Sequence, residues 1–245
     1  MVQKKSTIFG IRPVIEALRA GQSFDKILAR KGLKGELFTE LKSTAAQHKI
    51  QLQLVPIEKL NRITRKNHQG VVAFLSPIAF AAIETLLPYL FEKGEMPLIL
   101  ILDRISDVRN FGAIARAAEC AGAHALVIPL KDSAQINEDA VKASAGALFN
   151  IPVCREKSLA KIIGFLQNSG VQIVCCTEKG NDDFYTADFD LPTAIVIGSE
   201  QDGISAELIK KADRLIKIPL KGKTESLNVS VAAGIVLFET VRQRA

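Results

Sequence analysis

Cysteine, histidine and tryptophan are scarce in this chain: its 245 residues include four cysteines, three histidines and no tryptophan. Cys120, Cys154, Cys175 and Cys176 form no CxxC pair, and the only close two are adjacent. Neither a disulfide framework nor a zinc ribbon is expected, and the thiols read as reduced, cytosolic ones. His48, His68 and His124 are scattered and match no H-E-x-x-H spacing, so no metal is expected. Long apolar runs are lacking too. The longest candidate, Val71 to Ile83, contains Pro77 and falls short of the roughly 18 residues a membrane span needs. MVQKKSTIFGIRP carries lysines with no apolar core behind them, so no secretory leader is expected. These absences point to a soluble cytoplasmic protein with no membrane partner.

Two nucleotide-binding fingerprints are also missing. No G-x-G-x-x-G occurs, which argues against a nucleotide-dependent oxidoreductase. Gly222-Lys223-Thr224 ends like a P-loop, but the first glycine would have to stand at Lys217, so an NTPase is rejected.

Hydrophobic residues at 48% and charged ones at 24% give an ordinary globular balance, and the length suits one large domain or two small ones. The charge is uneven. Residues 1–80 hold 14 Lys/Arg against 5 Asp/Glu, whereas residues 81–245 hold 18 against 21. A basic part joined to a mildly acidic one suggests a nucleic-acid-binding unit beside a unit with other work; a merely solvated basic surface would look the same.

Residues 1–76 read as a small α/β unit. Helices are expected over 13–20, 35–48 and 57–65, and strands near 25–29, 52–55 and 70–75. Pro77, Pro88, Gly94 and Pro97 surround the apolar AFAAIETLL, so 77–96 is read as a linker with one short helix. From 97 to 245 the pattern changes. LILILD (98–103), ALVIP (125–129), VQIVCC (171–176) and TAIVIG (193–198) are continuous apolar runs, as parallel strands buried on both faces should be. Helical stretches near 110–122, 158–168, 205–211 and 226–243 alternate with them, predicting a parallel sheet with helices on both sides.

Ligands of such sheets bind beyond the carboxyl ends of the strands, and three polar clusters lie there. The first, after LILILD, contains Asn110, Gly112 and Arg116. Asn110 could cap a helix, and Gly112 shares a face with Arg116, leaving room for backbone or ligand beside the guanidinium. The second is Gly198-Ser-Glu200-Gln201-Asp-Gly203, two glycines bracketing carboxylates after a buried strand. The third runs from Ile218 to Gly234. Ser226 sits where a helix should start, and Ser226, Ser230, Ala233 and Gly234 form a small-residue stripe. Each has a plainer reading: a capped helix with a surface arginine, an acidic loop before a helix, a tight packing face.

In this order the three clusters resemble the signature motifs of the SpoU family of RNA 2′-O-methyltransferases, in the SPOUT superfamily. N-x-G-x-x-x-R (Asn110, Gly112, Arg116) is similar to the first motif, G-S-E-Q-D-G (198–203) to the second and IPLKGKTESLNVSVAAG (218–234) to the third. FGIRPVIEAL (9–18) and NHQGVVA (67–73) are similar to the L30e-like substrate-binding domain of the ribosomal-RNA branch, which methylates a guanosine ribose in 23S rRNA. One departure is Gln201, where glycine often follows the glutamate; a local loop adjustment is expected.

The resemblance implies a homodimer that uses S-adenosyl-L-methionine, with the C-terminal chain threaded as a deep trefoil knot. Such threading contradicts the general rule and is unreadable from periodicity. It implies cofactor contacts at Gly198, Ile218, Leu227 and Thr177. It also implies a central role for Arg116, reaching the target ribose and phosphate across the dimer interface, with Glu200, Ser226, Asn228 and Asn110 as orienting groups. Lys4, Lys5, Arg12, Arg62, Arg65 and Lys66 are then expected to meet RNA phosphates. Two competing readings remain at this point: the same reaction on tRNA, and a non-catalytic RNA-binding or ribosome-assembly factor that kept the fold.

Overall fold

The computed structural model describes residues 7–245; Lys4 and Lys5 lie outside the described residues. The chain divides into two compact units, residues 1–79 and 80–245.

In the first unit, β1 (Thr7–Phe9), α1 (Ile11–Arg19), β2 (Phe24–Arg30), α2 (Glu36–Gln47), β3 (Gln51–Val55), α3 (Ile57–Ile63) and β4 (Val71–Leu75) follow one another. They build a four-stranded sheet of order β1-β4-β2-β3, with β2 and β3 parallel and the other pairs antiparallel. Side chains alternate across a strand. Ile27, Ala29, Val71 and Ala73 therefore meet Val14, Leu18, Phe38 and Leu41 of α1 and α2 on one face. Leu28 and Val72 meet Leu60 of α3 on the other.

The second unit contains β5 (Phe80–Ala81), α4 (Ile83–Glu92), β6 (Leu98–Asp103), α5 (Val108–Cys120), β7 (Ala125–Pro129), α6 (Glu138–Ala143), β8 (Val153–Glu156), α7 (Leu159–Asn168), β9 (Gln172–Cys176), β10 (Asp182–Asp183), β11 (Thr193–Gly198), α8 (Ala206–Ile209), β12 (Arg214–Lys217) and α9 (Val229–Gln243). Its strands form one eight-stranded sheet of order β10-β12-β9-β11-β6-β7-β8-β5, parallel throughout. Ile99, Ile101, Val127, Ile173 and Val196 pack under α4, α7 and α8. Leu100, Leu102, Ile195 and Ile197, equally buried, face the other way. There α9 meets β11 and runs against α5.

The segment 77–96 is more than the expected linker. Phe80 and Ala81 pair with β8 at the sheet edge, and the Phe80 ring lies 3.5 Å from the Arg155 guanidinium carbon. The helix that follows buries Ile83 and Leu87 in the core. Prolines and a glycine flank this stretch, but its apolar interior is core material of the second unit. β8 and β12 were not expected either, because VCRE and RLIK lack the apolar run of their neighbours.

Two helix starts also differ from expectation. Asp107, not Asn110, caps α5, accepting from the backbone N–H of Arg109 at 2.9 Å and of Asn110 at 2.8 Å. Asn228, not Ser226, caps α9 by accepting from the N–H of Ser230 at 2.9 Å. Both caps satisfy orphan donors of the first turn. The small-residue stripe on α9 consequently begins at Ser230, because Ser226 precedes the helix.

Gly112 has a packing role. A Cβ there would stand 2.4 Å from the Ala143 Cβ and 2.9 Å from the Ala143 carbonyl carbon, so the close neighbour is the end of α6. Gly112→Ala should therefore lower stability by about 1–3 kcal/mol, as overpacking does. Urea unfolding would read this as a lower midpoint at unchanged slope. Adding Ala143→Gly should recover part of the loss, since the backbone clash stays.

Candidate active site

β9, β11 and β12 end side by side, and the chain beyond each turns sharply. The Thr177 N–H donates to the Ile216 carbonyl at 2.8 Å, tying the loop after β9 to the end of β12. A Cβ on Gly180 would lie 2.5 Å from the Ile216 carbonyl carbon, so only glycine allows this crossing. After β11, Ser199 and Gly203 exchange two backbone hydrogen bonds, of 3.2 and 2.9 Å. Gly203 takes the left-handed φ of +64°, and a Cβ on Gly198 would fall 2.1 Å from the Gly203 carbonyl carbon. Both glycines of G-S-E-Q-D-G are thus required by the chain's approach to itself. Gln201 is exposed on the same turn and needs no left-handed backbone, so the departure from glycine is accommodated there.

Between these turns lies a cavity of about 420 Å³. Apolar parts of its wall come from Ile197, Ile218, Leu220, Leu227 and Ala232, and carboxylates from Glu178, Glu200 and Glu225. Leu220 is 41% exposed and Leu227 38%, unusual values for leucines that line a hollow. A second hollow, of about 530 Å³, shares Ser199, Glu200 and Val229 with the first and adds Asn110, Asp107 and Arg104.

A small polar junction separates the two. Glu200 Oε1 accepts from Asn110 Nδ2 and from Asn228 Nδ2, each at 2.9 Å. The same Asn228 amide donates to Asn110 Oδ1 at 3.1 Å. Asn228 Oδ1 is thereby turned toward the start of α9, where it accepts from the Ser230 N–H and hydroxyl. The sheet holds the loop from below. Asp103 Oδ2 accepts from the Ser205 N–H at 2.7 Å, and Arg104 donates to Asp202 and to the Gly203 carbonyl, both at 3.1 Å. Arg104 itself adopts φ +60°, a strained value for a non-glycine residue.

Of the residues singled out from sequence, Thr177, Gly198, Glu200, Ile218, Ser226, Leu227 and Asn228 line the first cavity, and Asn110 and Glu200 the second. Arg116 joins neither. It is exposed on α5 and has no hydrogen-bond or ion-pair partner among the described residues. Sequence reasoning missed Glu178, Leu220, Glu225, Cys176, Ala232 and the Arg104 clamp. Leu220 and Glu225 fall inside the third motif, and Glu178 follows Thr177, so adjacency was their only signal. Among the described residues no cluster of three or more metal-ligating side chains occurs, and no helix is long and apolar enough to cross a membrane.

Residues 97–238 match the model of the SpoU rRNA methylase family. The chain belongs to that family. Residues 7–81 match a second model, described as RNA 2′-O-ribose methyltransferase substrate binding. This SpoU chain is 36% identical over its whole length to a Bacillus subtilis protein assigned to the TrmH family of tRNA/rRNA methyltransferases, covering 98% of that protein. Among solved structures it resembles the SpoU methyltransferase AviRb of Streptomyces viridochromogenes, crystallised with S-adenosylmethionine. That match has 25% identity and a TM-score of 0.62, and covers 97% of this chain and 90% of that one. An S-adenosylmethionine-bound rRNA methyltransferase of Sinorhizobium meliloti matches at 27% identity and a TM-score of 0.63, covering 98% and 87%. A tRNA-modifying TrmH/SpoU enzyme of A. aeolicus, at 32% identity and a TM-score of 0.56, covers 66% of this chain and 84% of its own. The protein is an S-adenosylmethionine-dependent RNA methyltransferase, with 2′-O-ribose methylation indicated by the family of its first unit.

The cavity suits that cofactor. Its volume falls in the range of small-molecule sites, about 300–1,000 Å³. Ile218, Leu220 and Leu227 offer the apolar surface a flat adenine needs, and the three carboxylates suit the sulfonium and ammonium charges of the cofactor.

Cys176, on the cavity wall, is pushed up to about 11 by burial, with the Glu178 charge adding to it. Cys175 beneath it is pushed up to about 12, again mainly by burial. Both remain thiols at neutral pH, and the thiolate is the reactive form. Titration with a disulfide reagent at pH 8 should therefore show fast labelling at exposed Cys120. Labelling at Cys176 should be slow and should accelerate only as pH rises toward its raised value; fast labelling there at pH 8 would contradict the burial.

Proposed function

We propose that this methyltransferase modifies the 2′-hydroxyl of a guanosine ribose in 23S rRNA, acting as a cytoplasmic homodimer with a deeply knotted C-terminal chain. The observation that carries the reading is the Asn110–Glu200–Asn228 junction beside the cofactor-sized cavity. A carrier that had lost catalysis would have no need to keep these exposed polar groups in register. Ribosomal RNA is favoured over tRNA by coverage. The rRNA methyltransferase of S. meliloti matches 98% of this chain, substrate-binding unit included, and the tRNA-modifying enzyme only 66%.

Bound S-adenosylmethionine supplies an electrophilic methyl group whose leaving partner is a neutral thioether. What remains for the chain is to place a ribose hydroxyl in line and ease the loss of its proton. Thr177, Gly198, Ile218 and Leu227 hold the cofactor in the first cavity. Glu200 fixes Asn110 and Asn228 where they orient the ribose, and Ser226 lines the mouth between them. Arg116 acts on the hydroxyl. A guanidinium is only a donor, so it stabilises the developing alkoxide while the proton passes to phosphate or water, and it does not serve as the base.

Arg116 lies six residues beyond Asn110, roughly 120° around α5 from it, so it points away from its own chain's junction. A second copy gives it a target. Val231 and Phe238 on α9 and Phe149 are 49%, 50% and 63% exposed, an apolar surface suited to burial against that copy. The knot reading draws on the tight crossing at Gly180, where the loop after β9 passes the end of β12 with no room for a side chain.

The deciding experiment incubates the protein with radiolabelled S-adenosylmethionine and unmodified 23S, 16S and transfer RNA in separate reactions. Label in 23S alone, within one alkali-resistant dinucleotide, is expected; label in tRNA would overturn the substrate. Arg116→Ala should cut methyl transfer by on the order of 10²–10³-fold, the scale for losing one electrostatic stabiliser. Cofactor affinity, measured by calorimetry, should stay unchanged, and near wild-type transfer would remove Arg116 from the mechanism.

A further inference from the structure

The first unit carries a cleft of its own. About 410 Å³ in volume, it is lined by Arg30, Ile57 and the segment Lys66 to Gly70. The segment is held rigidly. Buried His68 accepts from the Gly70 N–H on Nδ1 at 3.0 Å, which leaves the proton on Nε2 to donate to Asn61 Oδ1 at 2.9 Å. The Gly70 carbonyl accepts from the Arg30 N–H at 2.8 Å, and the Val71 N–H donates to the His68 carbonyl at 2.8 Å. Gln69 and Gly70 are both left-handed, with φ of +50° and +80°. Glycine tolerates that conformation; a glutamine held in it is strained.

This scaffold displays unused polar groups. Asn67 and Gln69 are exposed, and their amide heads have no hydrogen-bond partner among the described residues. Beside them stand the unpaired guanidinium of Arg30 and the Lys66 ammonium, which sits 5.6 Å from the Phe9 ring centre. Arg62 and Arg65 line a neighbouring hollow on the far side of the His68–Asn61 bond. The carboxylates Glu16 and Glu40, by contrast, are engaged by Arg19. Free cations with free amides between them match what RNA asks of a reader. Cations meet phosphates without regard to sequence, and amide heads hydrogen-bond the edges of bases that are not already paired.

Building on the methyltransferase reading, we infer that this cleft binds an unpaired nucleotide of the substrate RNA. Asn67 and Gln69 read its base, and Arg30 and Lys66 hold the flanking phosphates. The first unit thereby selects a loop or bulge, and a continuous duplex binds more weakly because its Watson–Crick edges are already paired.

The test measures affinity and needs no methyl transfer. Full-length protein is titrated into a short fluorescein-labelled RNA hairpin with a randomised open loop, and into the same stem closed as a blunt duplex. Wild-type protein should prefer the hairpin. Asn67→Ala combined with Gln69→Gly should weaken hairpin binding about tenfold or more, the scale of one lost base contact, and leave duplex binding unchanged. Glycine at 69 keeps the left-handed backbone, so the thermal midpoint should not fall; Asn67→Ala alone repeats the test without touching the strained position. Arg30→Ala with Lys66→Ala should weaken both RNAs and lower the salt slope by about two. Equal wild-type affinity for the two RNAs, or wild-type hairpin affinity in the amide variants, would overturn the assignment. A protein that binds as expected but transfers no methyl group would leave the cleft standing and overturn the activity instead.

Discussion

The carboxylate of Glu200 is the point on which the catalytic unit turns. One oxygen accepts from side chains 90 residues before it and 28 after it. Asn110 is in the first turn of α5 and Asn228 caps α9, so two helix N-termini converge on one negative charge. That arrangement is favourable without a salt bridge, because the partial positive charge of each helix start complements the carboxylate. It also explains why amides are used. An ammonium would pair with Glu200 at one contact, whereas two amides hold the carboxylate from two helices at once.

The glycines serve this junction indirectly. Gly198 and Gly180 let backbone pass backbone at distances no Cβ could survive, and Gly112 lets α5 sink against the end of α6. Each removes a side chain so that a loop or helix carrying a polar residue can sit closer. Gly112, in particular, sets the depth of α5 and hence the reach of Asn110. A loss of packing there and a loss of alignment at Glu200 are the same event, felt two residues apart at the start of one helix.

Much of this was legible in the sequence, and the misses have physical causes. LILILD, ALVIP, VQIVCC and TAIVIG announced buried parallel strands because both faces of each are covered. VCRE and RLIK did not, since a strand toward a sheet edge can carry charge: Arg155 is buried yet stacks on Phe80. The helix caps were misplaced because Ser106, Asp107 and Asn110, or Ser226 and Asn228, are all chemically able to cap, and only the backbone path chooses between them. Tertiary contact decided the meaning of Gly112, which shares a helix face with Arg116 but answers to Ala143. The motif stretches supplied Asn110, Glu200 and Asn228, though Leu220 and Glu225 within them passed unnoticed. Glu178 and the Arg104 clamp lie outside the motifs, and nothing in local sequence marks a residue that lines a cavity from the next loop or holds a loop in place.

The two units divide the energetic work. In the catalytic unit, polar groups are satisfied by one another, as Glu200, Asn110 and Asn228 are, so the site is set before RNA arrives and little reorganisation is left to the reaction. In the first unit the balance is reversed. His68, Asn61 and the backbone of 68–71 satisfy each other, and that closed network leaves Asn67, Gln69 and Arg30 without partners at the surface. Unpaired exposed groups cost little in water and gain only when a ligand replaces that water. Discrimination between RNAs can therefore reside where groups are left open, and the fixed frame of the catalytic site where they are closed. The ribose 2′-hydroxyl occurs at every nucleotide, so a site built only for the ribose could not choose among them; the choice has to come from contacts made elsewhere on the RNA.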